Sequence, residues 1–248
     1  VTTISVPFFM GDPMPGFDVP KPHQVLEAAL PVGTPQQRMA VLYGRLADRV
    51  SALDRPVIYA GDCVSTIGVL AGLERRGVFP TLLFFDAHGD FNTWETTPSG
   101  FLGGMPLAML TGRGEQTIVS GAGLTPLPDD RVVLVDGRSL DPGEDAMVAA
   151  SGIRVAAVEQ ITAGLFPAGP LYVHVDADVV DPSEMPAMNY PAPGGPSLDS
   201  VEAAVATLHA TGRVVAFSIS SWNPTLGGAD EAARATARIA APFLPPEG

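Results

Sequence analysis

The 248-residue sequence contains a single cysteine, Cys63, few aromatic residues and few basic ones. One cysteine excludes an internal disulfide framework, and the sequence opens with no basic stretch followed by an apolar core, so a reducing, cytoplasmic setting is expected. No apolar run approaches the roughly 20 residues that a membrane-spanning helix needs, which assigns the positive mean hydropathy to a core and excludes the membrane as a partner. Basic side chains number 14 against 27 acidic ones, a net charge of -13. With no Lys/Arg cluster to offset that field, nucleic acid is not an expected partner. Linker-like repeats of Ser, Gly or charge are also missing, so residues 1–248 are read as one domain.

What is present is an apolar fraction of 46%, enough to build a core without disulfide support. Residues 4–9 and 56–60 read as strands, and residues 36–53 between them carry apolar side chains at helical spacing. Ile67, Val69, Leu70 and Leu73 then mark a helix that ends at Glu74-Arg75-Arg76-Gly77. Runs at 81–85, 132–135, 171–175 and 214–219 are bounded by turn residues and read as strands buried on both faces of a parallel sheet. Helices are expected at 104–110, 143–150, 198–211 and 231–241. The alternation predicts an α/β protein, a three-layer αβα sandwich with a mainly parallel central sheet. Ligands bind beyond the carboxyl ends of such strands. Cys63 and the segments 86–92, 176–181 and 221–223 all follow predicted strands and are expected on one rim.

Asp86-Ala87-His88-Gly89-Asp90-Phe91-Asn92 sets two carboxylates and an imidazole at alternate positions, and in extended backbone alternate side chains point the same way. Asp176-Ala177-Asp178 repeats the device on another strand, with Asp181-Pro182 behind it to turn the chain. Oxygen ligands with one imidazole suit manganese or a similar hard divalent ion, and two such sets suit a pair of ions. One Asp-x-Asp alone reads better as a solvated loop or a helix cap; two at strand ends favour metal. A phosphoryl-transfer fold would add a phosphate-binding Lys or a Gly-rich P-loop, and neither is evident.

These segments resemble the signatures of the ureohydrolase (arginase and agmatinase) family, Asp-Ala-His-x-Asp-x-Asn, Ser-x-Asp-x-Asp-x-x-Asp-Pro and Gly-Gly-Asp-His-Ser. Their counterparts here are Asp86 to Asn92, Asp176 to Pro182 and Gly61-Asp62-Cys63-Val64-Ser65, and the likeness extends from residue 4 to Pro224 in the family's order. It implies that Asp86 and Asp176 bridge two metal ions, that Asp90 and Cys63 complete one site and that His88 and Asp178 complete the other. It further implies that a hydroxide between the metals attacks an amidine carbon while Asp90 accepts a hydrogen bond from it. Mn2+ is the implied metal, with Zn2+ or Fe2+ open at the Cys63 site because thiolate is a softer ligand. Asp141 and Glu144 of Asp141-Pro142-Gly143-Glu144 match positions that hold a substrate α-amino group, and Asn92 and Ser99 match positions that contact the α-carboxylate. The four residues from Asp141 also read as a helix start, with Asp141 as cap and Glu144 as the acid three residues on. A small guanidino or amidine substrate and a homo-oligomer, trimer or hexamer, complete what the resemblance implies.

Three departures shape the expectation. Cys63 stands where most of the family has a metal-binding histidine, a trait similar to the Nω-hydroxy-arginine amidinohydrolase type, which also resembles residues 86–104; plain packing of a small buried thiol stays open. Gly103 stands where arginases have a histidine proposed as proton shuttle. Ser221 stands where the family has a glutamate that pairs with the substrate guanidinium. A buried cation without a carboxylate partner is costly, so a neutral amidine, hydroxyguanidine or amide is favoured. His174 precedes Asp176 by two and shares its side of the strand, which makes it a candidate catalytic group or an ordinary hydrogen-bonded imidazole. His23 and His209 are expected at the surface. The leading expectation is a metal-dependent hydrolase of a C–N bond. A metal-poor structural or regulatory protein of the same fold and a generic small-molecule binder stay open.

Overall fold

The computed structural model describes residues 2–19, 24–166 and 168–245. Among these residues, eight strands form one sheet in the order β4-β1-β5-β10-β9-β6-β7-β8. They are β1 (Thr3–Val6), β4 (Gln24–Val25), β5 (Val57–Ala60), β6 (Thr81–His88), β7 (Val132–Ser139), β8 (Arg154–Ala156), β9 (Leu171–Asp176) and β10 (Val214–Ser220). Every pairing in this sheet is parallel. A separate antiparallel pair joins β2 (Phe8–Phe9) to β3 (Asp12–Pro13).

Alternation along each strand builds two cores. Ile58, Leu82, Phe84 and Leu134 face one way, with α1 (Pro35–Ser51) and α2 (Thr66–Arg75) packed over them through Leu42, Leu46, Ile67 and Leu70. Val57, Leu83, Phe85 and Val135 face the other way, against Val201 and Val205 of α6 (Leu198–Ala210) and Ile239 of α7 (Ala229–Ala240). Strands buried on both faces lose the polar alternation of a one-sided sheet, which is why they read as continuous apolar runs. The result is the three-layer αβα sandwich expected from the sequence.

Helix α1 begins where its caps dictate. The Thr34 hydroxyl accepts from Gln37 N, the Gln37 side chain returns to Thr34 N, and Pro35 fills the first helical position, so the helix opens one residue before the expected start. The opening strand is shorter than the expected 4–9. It stops at Val6, and Phe8 and Phe9 turn off into the β2–β3 hairpin after Pro7, which has no N–H to give a central strand. Four strands and helices were not expected: β3, β4, the exposed edge strand β8, and a six-residue helix α4 (Thr117–Ala122). The remaining helices are α3 (Pro106–Leu110) and α5 (Glu144–Ala150). His209, near the end of α6, is exposed with its ring edge-on to Phe243 at 4.9 Å. His23 lies outside the described residues.

Candidate active site

The carboxyl ends of β5, β10, β9, β6 and β7 open into one cavity of about 640 Å³. It is lined by Cys63, Asp86, His88, Asp90, Asn92, Ser99, Asp141, Glu144, Asp176, Asp178 and Ser221, so eleven of the twelve residues singled out from the sequence meet there. The twelfth, His174, does not line it. His174 is buried in β9 with its ring 4.7 Å from Phe84, and its Nδ1 meets Ser218 Oγ at 2.8 Å. Burial pushes its pKa down to about 3, so the imidazole is neutral, and its Nε2 has no partner. The shared side of the strand is confirmed, but that side lies within the sheet-to-helix core at this depth.

Adjacent strands set the carboxylates side by side. Ser220 of β10 is in register with Asp176 of β9, and β9 pairs with β6, which delivers Asp86 and His88. The expected extended geometry ends there. Asp90 lies past the strand with φ +50°, in the left-handed region that Asp tolerates better than most residues, and Asp178 sits on a 3-10 turn at Ala177–Val179. Strand alternation therefore explains Asp86 with His88 but not Asp90 or Asp178, which local turns bring in.

One group of potential ligands is compact. Single donor atoms of Asp86, His88 and Asp178 all lie within 4.8 Å of one another. His88 Nδ1 is 3.1 Å from Asp178 Oδ2 and 3.4 Å from Asp86 Oδ1. Beside it, Cys63 Sγ donates to Asp90 Oδ2 at 3.2 Å and lies 3.7 Å from the Gly103 carbonyl. Asp176 accepts from Ser221 Oγ at 2.5 Å and from Asp178 N at 3.2 Å.

The electrostatics of this group call for positive charge. Burial, and then repulsion among the neighbouring acids, holds the carboxyls of Asp86, Asp90 and Asp176 well above their ordinary range. Burial works to lower His88, but its hydrogen bonds to Asp178 and Asp86 prevail and push it up to about 12. The Cys63 thiol is raised by burial and then by Asp90. Among the described residues, those lining the cavity include no Lys or Arg. This donor chemistry suits divalent cations: Asp86, His88 and Asp178 could hold one, and Cys63, Asp90 and Asp176 offer further sulfur and oxygen donors beside them.

The residues expected to grip a substrate bond to one another. Asn92 Nδ2 donates to Asp141 Oδ2 at 2.9 Å. Glu144 takes Phe91 N on Oε1 at 2.8 Å and Asp141 N on Oε2 at 2.9 Å, tying the segment after β6 to the segment after β7. Gly89 makes this possible, because a Cβ there would stand 2.6 Å from Glu144 Oε1. The helix-start reading needs one correction: α5 begins at Glu144 after a left-handed Gly143, and Asp141 makes no side-chain cap. Ser99 Oγ accepts from Phe101 N at 3.2 Å. Ser221 has φ +81° and turns its hydroxyl to Asp176.

Two supports escaped the sequence reading. Arg138 pairs with Asp136 and donates to the carbonyls of Asp178 at 3.1 Å, Val179 at 2.9 Å and Ala192 at 2.6 Å, clamping the turn that carries Asp178. Asp62 accepts from Tyr43 Oη and from Met10 N at 2.8 Å, fixing the approach to Cys63. Burial lifts Asp62 to about 6, with those hydrogen bonds pulling the other way. Both residues follow predicted strands, so the strand-end rule applied to every polar residue there would have found them.

A parallel αβα sheet carrying this carboxylate cluster on its carboxyl rim defines a class, and the Arginase family model matches residues 19–244. The chain belongs to the arginase family. It is 32% identical to the arginase of Bacillus subtilis over 184 residues, 69% of this chain and 62% of that protein. It is 33% identical to the N(omega)-hydroxy-L-arginine amidinohydrolase of Streptomyces lavendulae over 170 residues, 66% of this chain and 60% of that protein. The match thus spans less than two thirds of the length of either relative. The crystal structure of Bacillus subtilis arginase shares the fold with a TM-score of 0.84, over 99% of this chain and 98% of that one, at 24% identity.

Proposed function

We propose that this chain is a metal-dependent hydrolase that cleaves a C–N bond of a linear amidine, guanidino or hydroxyguanidino compound. The observation that carries the reading is the convergence of Asp86, Asp90, Asp176 and Asp178 with His88 and Cys63 in one cavity whose described lining has no basic side chain except that imidazole. Membership of the arginase family and the names of both relatives support the same chemistry.

When bound, two divalent ions, Mn2+ at the His88 site and Mn2+, Zn2+ or Fe2+ at the Cys63 site, supply the charge that acidifies water near neutral pH and polarises the amidine carbon. The protein does the rest. Asp176, steadied by the Ser221 hydroxyl, and Asp86 would serve both halves of the cluster. Asp90, whose Oδ2 is the partner of the Cys63 thiol, would accept a hydrogen bond from the attacking water. With Gly103 in place of an imidazole, no side chain there protonates the departing amine, so a weakly basic leaving group is favoured. Ser221 offers no charge to a guanidinium, which favours a neutral substrate form. His174, buried and neutral, holds Ser218 and has no part in the chemistry.

A reducing cytosol, which suits the free thiol of Cys63, and a homo-oligomeric assembly belong to the same proposal. Metal analysis of protein purified without chelator, followed by a screen for urea, ammonia or amine release from amidines and guanidines, tests it. About two metal ions per chain and turnover of at least one such compound are expected. Protein that holds no metal above background after Mn2+ loading overturns it in favour of a structural or regulatory role.

A further inference from the structure

The cavity has two chemically different ends. Strand order places the segment after β1 and the segment after β7 on opposite sides of β9 and β6, which carry the carboxylates. On the β7 side the lining is polar, and its groups are already matched: Asn92 to Asp141, and both oxygens of Glu144 to backbone N–H groups. On the β1 side three aromatic rings from three separate segments meet. Phe9 of β2 stacks on Phe101 with centroids 6.4 Å apart, and Phe101 lies 4.9 Å from Tyr190, whose side chain is exposed at the mouth.

Phe101 occupies the space beside Gly103. A Cβ on Gly103 would come within 2.3 Å of the Phe101 ring, so the ring and a side chain at 103 exclude each other. The Gly103 carbonyl in turn faces the Cys63 thiol, which puts the aromatic wall next to the Cys63 half of the cluster. A ring held there gives an apolar, planar surface beside the reacting centre.

Resting on the proposed amidine chemistry, we infer that Phe101 determines specificity and that the substrate is an amidine or guanidine bearing a planar apolar substituent, which lies against Phe9, Phe101 and Tyr190.

The test is calorimetric binding of benzamidine and acetamidine to the Mn2+-loaded full chain, which needs no turnover. Benzamidine is expected to bind at least about tenfold more tightly than acetamidine, and Phe101→Ala to cut that ratio to within about threefold with metal content unchanged, while Phe101→Tyr restores it. Should Phe101→Ala fail to fold, Tyr190→Ala, at an exposed side chain, is expected to lower the ratio about threefold. Equal binding of the two amidines by the native chain, a ratio that ignores all these substitutions, or tighter binding of tetramethylammonium than of benzamidine overturns the inference; the last result would make the rings a cation cage. Selective benzamidine binding by a chain that hydrolyses no amidine, guanidine or hydroxyguanidine supports this inference and removes the hydrolase reading.

Discussion

The His88 half and the Cys63 half of the proposed metal site are built by different means. His88 and Asp86 come from the last residues of one strand, and Arg138 clamps the turn that brings Asp178 to them, so donor atoms of the three already stand within 4.8 Å of one another. Cys63 follows another strand, Asp90 reaches it through a left-handed residue, and the contact is backed by the Gly103 carbonyl and the Asp62–Tyr43 pair. Sheet register preorganises the first half, whereas the second depends on loops and side-chain props. Variants in the second half should therefore be graded in effect, and variants of a shared ligand should not.

The largest effect is expected from Asp176→Ala. A carboxylate facing both halves is needed by each, so elemental analysis should find both ions lost and activity down by at least about a thousandfold. Retention of one ion per chain would show that the halves assemble independently. Next comes Asp62→Asn. A folded-state pKa raised from 3.8 to about 6 means the folded protein holds this proton more tightly than the unfolded chain does. That contribution, about 3 kcal/mol, is complete below pH 3.8 and is lost as pH rises towards 6. In chelated protein the native chain should lose thermal stability relative to Asp62→Asn across that window; parallel curves would show that Asp62 carries no such linkage.

Cys63→Ser sharpens the contrast between the halves. A neutral hydroxyl is a much poorer ligand than a thiolate, so metal affinity at the Cys63 site should fall roughly tenfold to a hundredfold while the His88 site keeps its ion. Titration of the chelated protein with Mn2+ and Zn2+ resolves the two. Unchanged stoichiometry and affinity would return Cys63 to a packing role.

The same contrast governs what the sequence reveals. Strands buried on both faces announce themselves as apolar runs, and the residues after them point at the rim, so Asp86, His88, Asp176 and Cys63 were legible from position alone. Period-two alternation presumes extended backbone, and it stops informing where φ turns positive at Asp90 or a 3-10 turn begins at Ala177. β7 runs to Ser139, past the expected 135, because Asp136-Gly137-Arg138 is polar yet still paired through an irregular register. β8 has two exposed residues in three and α4 spans six residues, too little for periodicity to register. His174 shows the opposite failure: its side of the strand was right, but depth along the strand, which alternation does not encode, put it beneath the cavity.

The smallest expected effect concerns Ser221, where the two halves share a prop. Its hydroxyl bonds Asp176 instead of facing a cation, so the native cavity leaves a guanidinium without a counter-charge from this position. Hydroxylation lowers the basicity of a guanidine, so Nω-hydroxy-arginine can enter neutral where arginine must enter charged or lose a proton at a cost. Ser221 already tolerates a Cβ at φ +81°, so Ser221→Glu adds length and charge at a backbone already committed to that conformation. The ratio of kcat/KM for arginine to that for Nω-hydroxy-arginine should therefore rise about tenfold in Ser221→Glu, equivalent to about 1.4 kcal/mol. Ser221→Ala separates charge from propping: it removes the bond to Asp176 and adds no carboxylate, so it should lower turnover of both compounds and leave their ratio where it was. Efficient arginine hydrolysis by the native chain would break the argument and direct attention to another acid, Glu95 or Glu184.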